Sequence, residues 1–452
     1  MPSVFIKTYG CQMNERDSEA VAARFLAKGY TLAASDATAD VVLLNTCSVR
    51  DAAEQKAVGK MQHLAADVRK NRPDVVLGFM GCMAQSQGHG LLDRMPGVDL
   101  VIGTQKFHRA ADHVEDILAG RRDKVCDVDE EAGSESAIRD HVPTPSGTPQ
   151  AVKAFVSIMQ GCNQHCTFCI VPFTRGLERS RSIPDIVQEC RELAARGVKE
   201  ITLLGQIVTS YGRRTVPEIN GKSAFVQLVE AVHEVDGIDR IRFTSPHPKG
   251  YGDDLVEAYG RLPKLCESAH IPVQCGSNRV LKLMRRGYTR ERYLALIEKL
   301  RRVKPGIGIS TDLIAGFPGE TEEDFEQTLA LAREVEFDSA FVFKYSERRN
   351  TPAALMPDQV PQPVREERHA RLLSLVNEIG ARKLERMVGR QVQILVEGLS
   401  RKNPARLEGR TSCNKIVVFE GALRHTSRLL DVRIARASAV TLYGDPAIVN
   451  LD

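Results

Sequence analysis

Short apolar runs alternate with helical periodicities over residues 1–126. The helices are predicted at residues 14–28 and 51–69. Strands that are apolar throughout and alternate with helices form parallel sheets that are covered on both faces. This segment is therefore predicted to be an open parallel α/β sheet, with strands at residues 4–9, 41–44, 75–80 and 98–102.

The alternation stops at residues 127–150, which are acidic and then rich in proline, and these residues are predicted to be a linker. It resumes over residues 151–382, where six strand candidates with helical patterns between them predict a partial (βα)6 barrel. Residues 383–448 contain short strand candidates and little helix, which predicts a small five-stranded β-barrel. The strand candidates after the linker are residues 154–159, 200–204, 241–244, 269–273, 308–314, 339–343, 391–397, 407–411, 416–419, 430–437 and 440–443.

The positive charge is concentrated at the end of the chain. The net charge is +4 over 452 residues, but residues 383–452 contain 12 Lys and Arg against 7 Asp and Glu, a net +5. This excess favours contact with a polyanion, although a solvated basic surface would give the same pattern. The candidate phosphate contacts are Arg401, Lys402, Arg406, Arg410, Lys415, Arg424 and Arg428.

Nothing in the sequence predicts a membrane span or a signal peptide, so a cytoplasmic protein is expected, with a monomer as the default state. Eleven cysteines is a large number for that compartment, where disulfides do not persist. Metal ligation or redox chemistry is therefore the first hypothesis, and the spacing of the cysteines tests it.

Cys162, Cys166 and Cys169 have C-x3-C-x2-C spacing directly after an apolar strand candidate. Three thiolates this close together can hold a [4Fe–4S] cluster and leave one iron open. Zinc is the main alternative, but structural zinc sites usually close their fourth position with a second ligand pair, which this loop lacks. An open iron at the carboxyl end of a strand can chelate S-adenosylmethionine.

Cys11, Cys47 and Cys82 each follow the end of a predicted parallel strand. The carboxyl ends of such strands gather at one edge of an open sheet, so the three thiols can converge. Helix N-termini beyond them would favour an anionic cluster, and Gly10 and Gly81 would allow tight turns. We expect a second cluster here, while three separate redox or core cysteines remain the alternative.

The central motif resembles that of the radical S-adenosylmethionine enzymes. The whole layout, with its terminal basic barrel, resembles the methylthiotransferases, and most closely their branch that modifies isopentenylated adenosine in tRNA. The departures are Ile207, Cys275 and residues 347–350, which put the fit of the substrate in question. The stretches that carry the resemblance are residues 10–14, 45–50, 161–169, 174–176, 242–248 and 343–346.

The resemblance implies two [4Fe–4S] clusters, with the auxiliary one on the N-terminal cysteines. It also implies S-adenosylmethionine as both methyl donor and radical source, and a reductant protein for the clusters. The terminal barrel would be a TRAM domain that binds tRNA, and the methylthio group would be delivered to C2 of N6-(dimethylallyl)adenosine at position 37. Threonylcarbamoyladenosine, an aspartate of a ribosomal protein, and a non-catalytic iron–sulfur RNA-binding role are the alternatives.

Four polar residues lie at or just past predicted strand ends of the central segment, the edge where a (βα) array places its active site. They are candidates for binding the cofactor, although a buried and satisfied polar group is an equal alternative for each. The four are Gln206, Ser245, Gln274 and Asp312. The remaining cysteines are expected to be structural: Cys126, Cys190, Cys266, Cys275 and Cys413.

Overall fold

The computed structural model describes residues 1–48, 51–142 and 151–448. The proline-rich part of the predicted linker, residues 143–150, and residues 49–50 of one quoted stretch lie outside this description. The fold is the predicted α/β architecture, in which a parallel sheet is followed by a partial barrel and then a closed small barrel.

The N-terminal sheet has six parallel strands in the order β2-β1-β3-β4-β5-β6. Strands β3 and β4 are buried along their whole length because helices cover both faces of the sheet. The strands are β1 (Ser3–Tyr9), β2 (Thr31–Leu32), β3 (Val41–Thr46), β4 (Val76–Gly81), β5 (Leu100–Ile102) and β6 (Val125–Asp127). The helices are α1 (Gln12–Ala27), α2 (Asp51–Asn71), α3 (Cys82–Gln87), α4 (His89–Arg94) and α5 (Ala110–Leu118).

The segment after β6 is fastened to both neighbouring parts of the chain. A 3-10 helix spans Ser134–Ile138, and the Arg139 guanidinium beyond it pairs with Asp185 at 3.2 Å. The His141 ring lies between carboxylates of the N-terminal and central segments, 2.9 Å from Glu19 and 2.7 Å from Glu189. The described part of the predicted linker is therefore held by polar contacts on both sides.

The central segment contains the six predicted strands as two three-stranded parallel sheets, β11-β10-β7 and β12-β13-β14. A parallel bridge between Ile241 and Leu265 continues the first sheet toward the second, so the six strands form an open partial barrel. A further antiparallel pair, β8 with β9, follows β7. The strands are β7 (Lys153–Ser157), β8 (Met159–Gln160), β9 (Arg179–Ser180), β10 (Glu200–Leu204), β11 (Arg240–Phe243), β12 (Ser268–His270), β13 (Gly308–Ala315) and β14 (Ser339–Lys344).

The helices of the central segment cover the outside of this partial barrel. Their starts follow sequence rules: Ser182 caps the first turn of α7, and Thr321 forms a capping box with Asp324 at the start of α12. The helices are α6 (Val171–Arg175), α7 (Ile183–Ala195), α8 (Ala224–His233), α9 (Asp253–Arg261), α10 (Asn278–Leu283), α11 (Arg290–Val303), α12 (Glu322–Val335) and α13 (Gln362–Glu385).

The final segment closes into a five-stranded barrel in the order β15-β16-β17-β19-β18. Alternate side chains of its strands form a separate apolar core. The strands are β15 (Gln391–Leu399), β16 (Leu407–Thr411), β17 (Ile416–Phe419), β18 (Leu429–Ala437) and β19 (Leu442–Ile448).

The small barrel is docked at the amino ends of the central strands. Arg240, the first residue of β11, donates to the carbonyl oxygen of Arg410 at 2.5 Å. Asp338, directly before β14, pairs with Lys415 of the barrel and, at 2.6 Å, with Lys383 near the end of α13. The opposite, carboxyl edge of the central sheets is therefore left for other contacts. No helix in the described ranges has the length and apolar character needed to cross a membrane.

Candidate functional site

The three N-terminal cysteines follow three neighbouring strands of the parallel sheet. Cys11 comes after β1, Cys47 after β3, and Cys82 is the first residue of α3 directly after β4. The thiols of Cys11 and Cys47 hydrogen-bond to each other, and the backbone N–H of Cys47 donates to the Tyr9 carbonyl at 2.9 Å. The structure therefore brings together the three cysteines that the strand-end argument selected.

A buried amide network holds these three loops in register. The Asn14 side chain accepts from the Cys11 thiol at 3.3 Å and donates to Asn45 Oδ1 at 2.8 Å. Gly81 completes the arrangement with a φ of +97°, and a Cβ on it would lie 2.3 Å from Asn45 Oδ1. Gly10 is equally confined, since a Cβ there would lie 2.6 Å from Asn14 Oδ1. The two glycines are thus required by close approach of the chain.

The electrostatic environments of the N-terminal thiols differ. The hydrogen bond with Cys47 and the charge of Arg175 outweigh burial and lower the pKa of Cys11 to about 6. Burial raises the pKa of Cys82, although the Arg175 guanidinium beside it opposes the shift. A thiolate next to a guanidinium is a good metal ligand and nucleophile. The group therefore combines a thiolate at Cys11 with a thiol at Cys82 that would lose its proton on binding metal.

The central cysteines lie in the loop after β8, at the carboxyl edge of the central strands. Cys162 and Cys166 are buried, and the Cys169 amide donates to the Cys166 carbonyl at 3.1 Å. Burial raises the pKa of Cys162 to about 11 and that of Cys169 to about 12. A buried guanidinium, Arg286, donates to the Cys166 sulfur at 3.2 Å and supplies positive charge to the loop.

The donor set of each group fits an iron–sulfur cluster. Each consists of three thiols with an arginine beside them, and a cluster that carries negative charge is stabilised by such a partner. Within residues 1–48, 51–142 and 151–448, no three side chains of His, Cys, Asp or Glu form a site for a metal ion. This argues against zinc, because a single zinc ion needs all its ligands around one point. It does not argue against a [4Fe–4S] cluster, in which each thiolate binds a different iron.

Helix packing brings the two cysteine groups to the same part of the molecule. Helix α3, which begins at Cys82, packs against α6, which begins two residues after Cys169. The Thr104 hydroxyl, from the loop after β5, donates to the Thr174 carbonyl in α6 at 2.6 Å. The loops that bear Cys82 and Cys169 are therefore joined through a single short helix.

A cavity of about 680 Å³ opens beside Cys169. Its size and mixed apolar and polar lining are typical of ligand pockets. The aromatic wall is fixed from behind, since Phe168 packs edge-to-face on Phe317, which in turn packs on Tyr345. The remaining residues that line the cavity include Ile170, Gln274, Ile314, Val342, Phe343 and Lys344.

Of the four predicted cofactor-binding residues, Gln274 lines this cavity. Gln274 and Ser245 both have left-handed backbones, with φ of +71° and +56°, a strain that clusters at functional sites. The Gln206 Oε1 atom is buried and has no hydrogen-bond partner among the described residues. Asp312 instead lies 3.4 Å from the His270 ring, so its carboxylate already has a partner.

Three residues in or near the cysteine groups are not among the candidates that the sequence predicts. Gln160 is fully buried one residue before the Gly161-Cys162 pair, and in the described part of the chain neither of its amide atoms has a partner. Its position before the motif is a signal that could have found it. Arg175 and Arg286 reach the thiols from other elements, and of these only Arg175 lies in a stretch that carries the family resemblance.

The departures from the family pattern have separate placements. Glu347 and Arg348 line the cavity, while Ile207 is buried and its carbonyl accepts from the Ser210 amide at 2.9 Å. The Cys275 thiol is fully buried, 3.3 Å from the Thr328 hydroxyl, which agrees with a packing role. Among the departures from the family pattern, those that line the cavity thus lie in the turn after β14.

The basic residues of the small barrel fall into two groups. Arg410 pairs with Glu397 at 3.2 Å, and Lys415 pairs with Asp338 of the central segment, so both charges are already partnered. Arg406 pairs with Glu420 at 3.0 Å on the surface. The more open group consists of Arg401, Lys402, Arg424 and Arg428, all four of which are exposed.

Comparison with family models divides the chain into three matches. Residues 3–103 match the uncharacterized protein family UPF0004, residues 156–332 match the radical SAM superfamily, and residues 385–447 match the TRAM domain. The predicted radical S-adenosylmethionine core and TRAM barrel are confirmed.

Full-length relatives are similar over almost the entire chain. The tRNA-2-methylthio-N(6)-dimethylallyladenosine synthase of Opitutus terrae is 53% identical, covering 98% of this chain and 97% of its own. The synthase of the same name from Akkermansia muciniphila is 52% identical over 99% of both chains. Among solved structures, the radical S-adenosylmethionine methyltransferase TsrM of Kitasatospora setae has a TM-score of 0.57 at 14% identity, covering 78% of this chain and 75% of that one.

Proposed function

The chain belongs to the family of tRNA-2-methylthio-N(6)-dimethylallyladenosine synthases, and we propose that it attaches a methylthio group to C2 of N6-(dimethylallyl)adenosine at tRNA position 37, next to the anticodon. The observation that carries this proposal is the pair of three-cysteine groups joined through α6. One group lies beside a cavity of suitable size for a modified nucleoside and a cofactor.

We assign two [4Fe–4S] clusters to these groups. Cys162, Cys166 and Cys169 would hold the radical-generating cluster, and Cys11, Cys47 and Cys82 the auxiliary one. When bound, the first would supply an electron for cleavage of S-adenosylmethionine, and the second would supply the sulfur that is methylated and transferred. The arginine beside each thiol group supports the assignment, because it offsets the charge of the cluster.

The residues of the cavity would bind the substrate and exclude water from it. Its apolar wall, which includes Val342 and Phe343, suits a dimethylallyl group and an adenine face. The Tyr345 hydroxyl is buried and lacks a partner within the described ranges, and it could accept or donate at the base edge. We assign the binding of S-adenosylmethionine to Gln206, Ser245 and Gln274, and we add Gln160, whose amide is buried and unpaired within those same ranges.

The small barrel would bind the tRNA backbone. Accessible guanidinium and ammonium groups suit phosphate contacts, which provide affinity and position but little sequence information. We assign this role to Arg401, Lys402, Arg424 and Arg428, and a secondary one to Arg406. Arg410 and Lys415 would contribute little, because carboxylates already neutralise them.

The proposed division of labour follows the predicted boundaries. Residues 1–126 hold the auxiliary cluster, 127–150 connect, 151–382 perform the radical chemistry and 383–448 bind RNA. We further propose that the protein acts in the cytoplasm as a monomer and receives electrons from a reductant protein. A base that is stacked in a stem-loop must be turned outward to reach the cavity.

The alternative substrates have weaker support. The relatives at 49–53% identity bear the dimethylallyladenosine name, which argues against threonylcarbamoyladenosine and a ribosomal-protein aspartate. A non-catalytic iron–sulfur RNA-binding role would leave the cavity beside Cys169 without a purpose.

Nucleoside mass spectrometry of bulk tRNA tests the proposal. A strain that lacks the gene should lose 2-methylthio-N6-dimethylallyladenosine and accumulate N6-dimethylallyladenosine, and the intact gene should restore the modified nucleoside. A matched plasmid encoding Cys166→Ala should fail to restore it. An unchanged nucleoside profile in the deletion strain would contradict the proposed substrate.

A further inference from the structure

Arg175 is the one central-segment side chain that we find beside the N-terminal thiols in the described structure. It is the last residue of α6, its side chain is 2% exposed, and its Nη2 donates to Asp17 Oδ2 in α1 at 2.6 Å. Asp17 is itself fully buried. A buried ion pair therefore crosses the contact between the two segments next to Cys11 and Cys82.

The other terminal nitrogen of the Arg175 guanidinium, Nη1, indicates that a binding partner is absent. Within the described chain, Arg175 Nη1 is buried and has no hydrogen-bond partner. Leaving a buried charged donor unpaired is costly, so such an atom in a native site points to an absent partner. The guanidinium makes a side-chain hydrogen bond with the Cys82 thiol and acts on Cys11 through its charge, so the unpaired Nη1 lies where the auxiliary cluster is proposed to bind.

We propose that Arg175 is a positioning residue for the auxiliary cluster, which donates a hydrogen bond from Nη1 to a sulfur of that cluster and raises its reduction potential. Asp17 holds the guanidinium in place. The proposal rests on the proposed function, since it needs a cluster on Cys11, Cys47 and Cys82. Hydrogen bonds to sulfur and nearby positive charge are the means by which proteins tune such clusters.

Arg175 also links the two cysteine groups along the chain. Arg175 is six residues after Cys169, within the same loop and helix. One short segment therefore holds a thiol of the radical-generating group and the guanidinium that faces the other group. A movement of α6 would therefore change the position of Arg175 at one group and of the Cys169 loop at the other.

The test is a potential measurement on the auxiliary cluster alone. The full-length chain with Cys162, Cys166 and Cys169 changed to Ala is reconstituted with iron and sulfide, and redox titration is followed by electron paramagnetic resonance. In this background, Arg175→Gln should move the midpoint potential to a more negative value. The expected change is at least tenfold in the reduction equilibrium, which for a one-electron couple is about 59 mV.

Two further variants keep the test decisive. Arg181→Gln removes another buried arginine of the central segment, one that pairs with Asp185 and Glu189, and it should leave the potential unchanged. If Arg175→Gln does not bind the cluster, Asp17→Ala decides, because it removes the acceptor that holds the guanidinium. Loss of the hydrogen bond from Nη1 should then move the potential to a more negative value, whereas loss of the carboxylate charge alone would move it to a more positive value and overturn the role of Arg175.

The outcomes distinguish this inference from the function on which it rests. An unchanged potential in Arg175→Gln, or a shift equal to that of Arg181→Gln, would overturn the role of Arg175. A parent chain that forms no cluster on the three N-terminal cysteines would instead contradict the proposed function.

Discussion

At the scale of single residues, Gly81 decides whether the N-terminal thiols can meet. Its φ of +97° is strained for any side chain, and a Cβ would also lie 2.7 Å from the Thr46 carbonyl oxygen. We expect Gly81→Ala to lower the free energy of unfolding by about 1–3 kcal/mol and to reduce the iron bound on the N-terminal cysteines. Chemical denaturation and iron analysis measure the two effects.

Gly120→Ala is the matched control for this substitution. Gly120 also has a left-handed backbone, with a φ of +67°, but no atom lies within 4 Å of its Cβ position in the described structure. It should therefore show the backbone strain without any loss of iron. Equal iron contents in the two variants would refute the importance of the close approach at Gly81.

The two cysteine groups should separate in their effects on the reaction. Changing Cys11, Cys47 and Cys82 to Ala should abolish methylthiolation and leave cleavage of S-adenosylmethionine to 5′-deoxyadenosine, since the central thiols remain. Changing Cys162, Cys166 and Cys169 should abolish both activities. Anaerobic assays that quantify 5′-deoxyadenosine and the modified nucleoside check this. Loss of cleavage in the first variant, with the central cluster loaded, would contradict the assignment of roles.

The grouping of the N-terminal cysteines at one sheet edge could be predicted from sequence, because each follows a recognisable strand. The partners of the cysteines could not. Arg175 and Arg286 reach their thiols from residues far away in the chain, and only tertiary packing brings them there. The pairing of Lys415 with Asp338 was hidden for the same reason, and it removes a basic residue that the charge pattern alone had included.

At the scale of elements, the long apolar strands were predicted closely and the shortest ones were missed. Strand β10 begins and ends as predicted, and the strands of the small barrel were all found. Strands β2 and β6 span two and three residues and have no periodicity to read. Their pairing with β1 and β5 comes from the sheet, so their sequence alone does not identify them.

The segment after the 3-10 helix contributes a pH-dependent part of the stability of the fold through His141. Burial opposes its charge, but hydrogen bonds to Glu189 and Glu19 outweigh this and raise its pKa above the usual value. The charged ring therefore stabilises the fold at pH below about 6.5 and this contribution is lost as the pH rises through the raised pKa. We expect the melting temperature to fall over that interval, and His141→Gln to remove this part of the fall.

His89→Gln serves as the control, because His89 is an exposed residue at the start of α4. Its melting temperature should follow the same pH profile as that of the parent protein. If His141→Gln kept the full pH dependence, the carboxylate contacts of His141 would have no part in it.

At the scale of the whole molecule, the accessible basic residues of the barrel should determine how salt affects RNA binding. We expect the variant with Arg401, Lys402, Arg424 and Arg428 changed to Gln to bind tRNA more weakly. The slope of log affinity against log salt should also become shallower by about 1 for each phosphate that the variant no longer neutralises. Filter binding or fluorescence anisotropy over a series of salt concentrations measures the slope.

A variant with the same number of charges removed elsewhere tests whether position matters. Arg121, Arg122, Lys299 and Arg302 are exposed and lie outside the barrel. Their replacement by Gln should leave the slope close to that of the parent. A similar decrease of slope in both variants would mean that net charge alone, and no defined surface of the barrel, accounts for binding.

The position of the barrel sets a minimum length for an RNA that contacts both the barrel and the cavity. The barrel touches the amino ends of the central strands, whereas the cavity beside Cys169 opens at their carboxyl ends. Strand β13 spans this distance with eight residues, roughly 26 Å at the usual rise. A lone nucleoside cannot occupy both places at once. Only an RNA long enough to bridge them gains the barrel's affinity while offering its base for reaction, so the spacing itself selects against single nucleosides and very short oligonucleotides.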